Sequence, residues 1–146
     1  MSEEEQRERI VTEAKKLIGI PFRHMGVTRG GLDCKGCCWL AYYRAGINLP
    51  QGDGKKYEVN WFWFADKQRY LDGLLKYFDF TDNPKKGDLV VFKCFDEEMI
   101  THGGIYIGNR SFIHAPSGKK VRPDSLDHRY WNKKFYKFLV YKGFKS

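Results

Sequence analysis

Gly31-Leu32-Asp33-Cys34-Lys35-Gly36, with the apolar run 37–45 behind it, is the most informative segment of this chain. Asp33 can cap a helix, because its side chain can accept a hydrogen bond from a backbone N–H of the first turn. Cys34 then lies in that turn, where unpaired N–H groups and the positive end of the helix dipole favour a negative charge. The pattern predicts a helix that begins at Cys34 and a reactive thiol with a lowered pKa.

Two histidines lie further along, in segments with the composition of β-strands. His102 opens the run His-Gly-Gly-Ile-Tyr-Ile-Gly over 102–108, and His114 lies in a second apolar run. The residues Gly-Asn-Arg over 108–110 are typical of a hairpin turn. A three-residue loop would pair Gly104 with His114 and put both imidazoles on one face of the sheet, within reach of each other. A two-residue loop would put them on opposite faces.

One placed cysteine and two strand histidines are the parts of a thiol hydrolase. Cys34 is the predicted nucleophile, and His102 is the predicted general base that activates it. His114 is predicted to hold the His102 ring in the useful tautomer.

The other cysteines and histidines are assigned no chemistry. Cys34-Lys35-Gly36-Cys37 also fits the C-x-x-C pattern of a redox pair or of half a zinc site. The sequence contains no second C-x-x-C and no H-x-x-x-H, so neither a metal nor a cofactor is predicted. We expect three structural cysteines that pack as small hydrophobes, and two ordinary surface histidines: Cys37, Cys38 and Cys94, and His24 and His128.

The composition predicts one folded domain over residues 1–146. A hydrophobic content of 42% and an aromatic content of 16% exclude a disordered chain. The formal net charge of +8 suggests an acidic partner, such as nucleic acid, a membrane surface or an anionic cell-wall polymer. Solubility alone is the other explanation of that charge.

The N-terminal segment 1–9 is acidic and polar, with no apolar core of a signal peptide. We therefore expect synthesis in the cytoplasm without a secretion signal. No stretch has the length and apolar character needed to span a membrane.

The order of elements predicts an α+β fold with an antiparallel sheet, because helices come first and strands follow. The first helix begins at a capping box of Ser2 and Glu5 and ends before Gly19. The aromatic cluster 57–64 forms either part of the core or one wall of a groove. The further predicted elements are a helix over 66–77, with Phe78 on its apolar side, and strands over 89–95, 105–107, 112–115, 119–121 and 135–141.

Three motifs together resemble the NlpC-type cell-wall cysteine peptidases, which are papain-like enzymes that cleave peptide stems of peptidoglycan. The motifs are Asp33-Cys34-x-Gly36, the run over 102–108, and Phe112-Ile113-His114-Ala115. Their order and spacing extend the resemblance over residues 8–141. It implies a fold in which N-terminal helices pack on a central antiparallel sheet.

The resemblance also implies the roles of individual residues. Cys34, His102 and His114 are implied as the catalytic set. Peptidoglycan stem peptides are the implied substrate, with no nucleic acid partner and no cofactor. The implied substrate-binding positions are Phe22, Asp33, Lys35 and Gly103.

A narrower resemblance points to the bacteriophage-tail and gene-transfer-agent branch of this family. Pro21-Phe22-Arg23-His24 and the segment 57–61 carry it. It implies tail-tip proteins as partners, and action in a virion, in a tail particle or at the cell wall.

Two positions differ from many members of the family and leave other functions open. Phe22 stands where many members have a tyrosine hydroxyl, and Lys35 stands where many have serine. One alternative is a structural tail component with weak or no activity. Another is a thiol acyltransferase or an amidase that acts on a substrate other than murein.

Overall fold

The computed structural model of the chain describes residues 1–50, 69–94 and 100–144. Its helices are α1 (Glu3–Lys16), α2 (Cys34–Arg44), α3 (Arg69–Leu75) and α4 (Arg129–Lys134). Its strands are β1 (Val27–Thr28), β2 (Gly31–Leu32), β3 (Phe78–Thr81), β4 (Leu89–Phe92), β5 (His102–Gly108), β6 (Ser111–His114), β7 (Arg122–Ser125) and β8 (Phe135–Tyr141). Within the described ranges, no helix has the length and apolar character to cross a membrane.

Six strands form one antiparallel sheet in the order β3-β8-β4-β5-β6-β7, and β1 pairs with β2 in a small separate sheet. Helices α1 and α2 pack against each other and against β5. The predicted α+β class, with N-terminal helices on a central antiparallel sheet, is confirmed.

The first helix forms where its capping box predicts. The Glu5 backbone N–H donates to the Ser2 hydroxyl oxygen at 3.1 Å, and the Ser2 N–H donates to the Glu5 carboxylate at 3.2 Å. Gly19 follows the helix with a φ of +95°, a conformation in which glycine is favoured over residues with a Cβ. The apolar face of α1 is buried at Ile10 and Ala14, so this helix is held by the core as well as by its cap.

The second helix begins at Cys34, as predicted. The Asp33 carboxylate accepts the backbone N–H of Gly36 at 2.8 Å, which satisfies one of the unpaired donors of the first turn. Gly36 also allows close packing, since a Cβ at this position would overlap the backbone carbonyl of Gly26. The glycine-rich loop therefore lies directly against the start of α2.

The hairpin that carries the two histidines has a shorter loop than predicted. Only residues 109–110 form the turn, and both have positive φ, at +56° and +61°. The pairing register shifts between Tyr106 and Gly108, so Ile107 is an extra residue in a β-bulge. The bulge offsets the shorter loop by one residue. Gly104 therefore pairs with His114, as predicted, although the three-residue loop was wrong.

Two predictions for the second half of the chain are wrong. Phe78 begins strand β3 and does not lie on the preceding helix. Residues 119–121 are not a strand, because the backbone of Val121 exchanges hydrogen bonds with Gly19 and Ile20 outside the sheet. The edge strand is β7, which starts at Arg122.

The bounds of some other helices and strands differ from the predicted ones. Strand β4 ends at Phe92, short of the predicted limit at 95, and the short helix α4 was not predicted. Helix α3 lies inside the predicted range 66–77. Residues 66–68, residue 95 and the aromatic cluster 57–64 lie outside the described residues.

The sheet is covered on both faces, and this arrangement determines where the histidines lie. One face packs against α1 and α2 through Leu89, Val91, Ile105, Ile113 and Leu139. The other face holds a second apolar cluster, formed by Val90, Phe92, Tyr106, Phe112 and Leu126 with Trp131 of α4 packed against it. His102 pairs with Phe92 across β4 and β5. Paired residues in a sheet project from the same face, so His102 joins the second cluster.

Candidate active site

Cys34 is the first residue of α2 and is half-buried. The backbone N–H of Gly103 donates a hydrogen bond to its sulfur. Gly103 follows His102 directly, so the sulfur lies beside the start of β5. The structure thus places the predicted nucleophile against the backbone of the residue that follows the predicted base.

His102 and His114 are in direct contact. The distance from His102 Nε2 to His114 Nδ1 is 2.7 Å, which is a hydrogen bond between the rings. Both side chains are buried, with residue exposures of 6% and 0%. The prediction that the two imidazoles share one face on neighbouring strands is confirmed.

Aromatic side chains enclose the histidine pair. The Trp131 ring stacks on His102 with centroids 5.4 Å apart, and it meets His114 edge-on at 4.7 Å. Phe92 lies against His102 and Phe112 lies against His114, at 5.8 and 4.6 Å. This surrounding removes water from the imidazoles, so it disfavours their charged forms.

The two histidines are neutral at physiological pH. Burial lowers the pKa of His102 well below its usual range; His114 lowers it further and the charge of Asp124 raises it. Burial, followed by the positive charges of Arg122 and Lys119, lowers the pKa of His114 to about 3. His102 therefore has an unprotonated ring nitrogen available at neutral pH.

The thiol of Cys34 behaves differently from the sequence expectation. Burial and then the charge of Asp33 raise its pKa to about 12, and these effects outweigh Lys35 and the Gly103 N–H, which lower it. The predicted lowering of the pKa is wrong, because desolvation outweighs the helix N-terminus. The thiol and both imidazoles are thus neutral before reaction.

We expect the rate of alkylation of Cys34 by iodoacetamide to rise about tenfold per pH unit from pH 7 upward, because only the thiolate reacts. Peptide mass mapping after short treatments across this pH range measures that rate. Cys37 and Cys38 serve as internal controls that should stay unlabelled in the folded protein, since their exposures are 0% and 7%. A rate that is already constant near pH 7 would show a preformed thiolate.

Asp124 is a member of the site that sequence reasoning missed. Its Oδ2 lies 2.7 Å from His114 Nε2, on strand β7 next to β6. The strand had been expected over 119–121, which left Asp124 outside any predicted element. An acidic residue within the basic stretch 119–137 is the sequence signal that could have indicated it.

The other predicted site residues lie around the start of α2. Both carboxylate oxygens of Asp33 accept backbone N–H groups, from Gly36 at 2.8 Å and from Met25 at 3.0 Å, so its observed role is to join the loop to the helix. Phe22 is half-buried and bridges to Leu32. Substrate binding by Asp33 and Phe22 stays a prediction.

Lys35 and Gly103 both lie close to the side chain of Tyr70. The Lys35 ammonium lies 5.3 Å from the centroid of the Tyr70 ring. A Cβ at Gly103 would overlap the Tyr70 hydroxyl, so a larger residue here would require the Tyr70 ring to shift. Lys35 and Tyr70 also line a cavity of about 370 Å³. A substrate role for Lys35 and Gly103 stays a prediction.

The remaining cysteines and His128 lie in structural surroundings. Cys37 and Cys38 are buried in the main core, as predicted. Cys94 is partly buried two residues beyond β4 and packs against the second apolar cluster, also as predicted. His128 caps α4 by accepting the Tyr130 N–H at 3.3 Å. Among the described residues, no group of three potential ligands is arranged so that it could hold a metal ion.

A family model matches most of the chain. The model described as "NlpC/P60 family" matches residues 19–140. The match includes Cys34, His102, His114 and Asp124.

Curated relatives share about a third of the aligned residues. "Probable endopeptidase NlpC" of Escherichia coli (strain K12) is 34% identical over 119 residues, which are 81% of this chain and 67% of that protein. "Probable peptidoglycan endopeptidase LytE" of Bacillus subtilis (strain 168) is 32% identical over 127 residues, which are 87% of this chain and 32% of that protein. This chain therefore spans only about a third of LytE.

Among solved structures, the NlpC/p60 domain of the peptidoglycan hydrolase SagA has the same fold. It superposes with a TM-score of 0.61 at 24% identity and covers 92% of this chain and 97% of that domain. At that identity the likeness concerns the fold alone.

Proposed function

This chain belongs to the NlpC/P60 family, and on that premise we propose that it is a cysteine peptidase that hydrolyses amide bonds in peptidoglycan stem peptides. The observation that carries the proposal is the 2.7 Å hydrogen bond between His102 and His114, with the Cys34 sulfur hydrogen-bonded to the backbone N–H of Gly103, the residue after His102. The relatives NlpC and LytE are both named as probable endopeptidases, and these names support the reaction. The name of LytE supports peptidoglycan as the substrate.

The charge state of the site determines the first step. Since thiol and imidazole are both neutral, His102 accepts the thiol proton as the sulfur attacks the amide carbonyl. A thioester to Cys34 forms, and the protonated His102 returns the proton to the leaving amine. Water then attacks the thioester with His102 again as base, which releases the acid and restores the thiol.

The developing oxyanion needs hydrogen-bond donors close to the sulfur. The backbone N–H of Cys34 lies in the first turn of α2, where N–H groups point out of the helix end. We assign this N–H to the oxyanion. The helix dipole adds a favourable field at the same end.

A second candidate is a tail component of low activity that kept the fold. The raised pKa of Cys34 favours it, because a neutral thiol is a weak nucleophile without an efficient base. Phe22 favours it as well, since a phenylalanine offers no hydroxyl near the start of α2.

Incubation with purified cross-linked muropeptides, followed by mass spectrometry, tests the proposal. We expect products that have gained one water at a stem-peptide amide. Cleavage only when an amine acceptor is added, with the amine in the product, would identify an acyltransferase. Unchanged muropeptides with a correctly folded protein would contradict the proposed function and favour the inactive tail component.

Association with a phage tail is a further part of the proposal. It rests on the segment Pro21-Phe22-Arg23-His24, which resembles the tail branch of the family. Co-purification with tail-tip proteins from particles, probed with an antibody to this chain, tests it. Detection only in the host cell fraction would contradict it.

A further inference from the structure

We propose that Asp124 is a positioning residue that selects which ring nitrogen of His102 acts as the base. The inference rests on the proposed function, because it assigns His102 that role. It comes from the hydrogen bonds of a buried chain of groups that runs from the sheet edge to the start of β5.

His114 lies between two partners. Its Nδ1 is 2.7 Å from His102 Nε2, and its Nε2 is 2.7 Å from Asp124 Oδ2. The His114 side chain has no exposure to solvent, whereas Asp124 retains 16%. Both ring nitrogens of His114 are therefore engaged by the protein.

The carboxylate determines the direction of every hydrogen bond in this chain. An ionised carboxylate can only accept, so His114 must donate from Nε2–H. A neutral imidazole carries one proton, so Nδ1 of His114 is an acceptor and His102 must donate to it from Nε2–H. The remaining lone pair of His102 is then on Nδ1. This nitrogen takes the thiol proton in the proposed reaction.

Arg122 lies beside the carboxylate of Asp124. Its Nε lies 3.2 Å from the same carboxylate oxygen that contacts His114. The register of β6 and β7 pairs His114 with Arg122 and Phe112 with Asp124, which places the carboxylate diagonally across from the imidazole. Pro123 lacks an N–H, and this suits an edge strand.

The negative charge has a second consequence during the reaction. Once His102 has accepted the thiol proton, an imidazolium exists inside an apolar enclosure that disfavours it. Asp124 is linked to that imidazolium through His114. The same charge raises the pKa of His102 in the resting site, so it strengthens the base.

Two substitutions separate orientation from charge. In Asp124→Asn, the amide oxygen can accept from both Arg122 and His114, so the tautomers are kept and only the charge is lost. In Asp124→Ala, both are lost. We expect kcat to fall about tenfold in Asp124→Asn and about a hundredfold in Asp124→Ala, with little change in KM.

The pH dependence of kcat/KM distinguishes a positioning role of Asp124 from a merely structural one, because a structural role would not shift the acid limb of the profile. Loss of the carboxylate lowers the pKa of His102, so the acid limb of kcat/KM should shift to lower pH in both variants. Asp127→Asn is the matched control, because Asp127 is exposed on the following turn and pairs with Arg110 at 2.6 Å. It should leave kcat and the acid limb unchanged.

Long-range proton–nitrogen NMR correlations of the imidazoles test the inference without requiring activity. Wild type and Asp124→Asn should show protons on Nε2 of both His102 and His114, and Asp124→Ala should show mixed tautomers. A proton on Nδ1 of His102 in wild type, or a kcat within twofold of wild type in folded Asp124→Ala, would overturn the proposal. If wild type leaves muropeptides intact, the proposed function fails, but the spectra still decide the role of Asp124.

Discussion

Replacement of Cys34 by alanine is expected to abolish hydrolysis of muropeptides, with a fall in rate of about 10⁵-fold or more. The thioester step has no substitute nucleophile at this position, because Cys37 and Cys38 are buried in the core. The cap of α2 depends on Asp33 and not on the sulfur, so the free energy of unfolding should change by less than about 1 kcal/mol.

The measurement is single-turnover mass spectrometry of muropeptides, together with a denaturant titration of each variant. Cys94→Ala is the matched control, because Cys94 is also half-buried but lies two residues beyond β4 and not at the start of a helix. It should retain wild-type activity. Hydrolysis that survives in Cys34→Ala would exclude Cys34 as the nucleophile.

The second large effect concerns the two histidines. His102→Gln should lower kcat by about 10⁴-fold, because an amide cannot accept the thiol proton. His114→Gln should stay at least about a hundredfold more active than His102→Gln. A glutamine can accept from His102 through its oxygen and donate to Asp124 through its nitrogen, so it can reproduce both hydrogen bonds of His114.

Initial rates on one muropeptide, with thermal unfolding as the check on folding, compare the two variants. An equal loss in both would mean that His114 takes part in proton transfer and does not only orient His102. Full activity in His114→Gln would remove His114 from the site.

Much of the fold followed from local patterns. The capping box at Ser2 and Glu5 and the cap at Asp33 place both N-terminal helices correctly. In such caps the donor and the acceptor are only three residues apart, so the hydrogen-bonding groups that form the cap can be read from the local sequence. The twelve-residue spacing of His102 and His114 likewise predicted two imidazoles in reach of each other.

The hairpin shows where local pattern is insufficient. The predicted loop was one residue too long, and the bulge at Ile107 restored the pairing of Gly104 with His114. A bulge depends on the fit of the whole sheet to its neighbours, which a count of loop residues does not contain. The correct register was thus reached through a loop that differs from the prediction.

The sequence by itself determined the class of the fold and the position of Cys34 in the first turn of α2. It also predicted the contact between His102 and His114, but the bulge at Ile107 that permits this contact was decided by the sheet. Only the tertiary structure decided the chemistry of these groups. Trp131 and Asp124 reach the histidines from elements that no local pattern predicted. The pKa of Cys34 is raised, against the effect of its helix, because burial depends on all the chain that packs around the sulfur. A helix dipole is a property of one segment, whereas desolvation is a property of the whole fold.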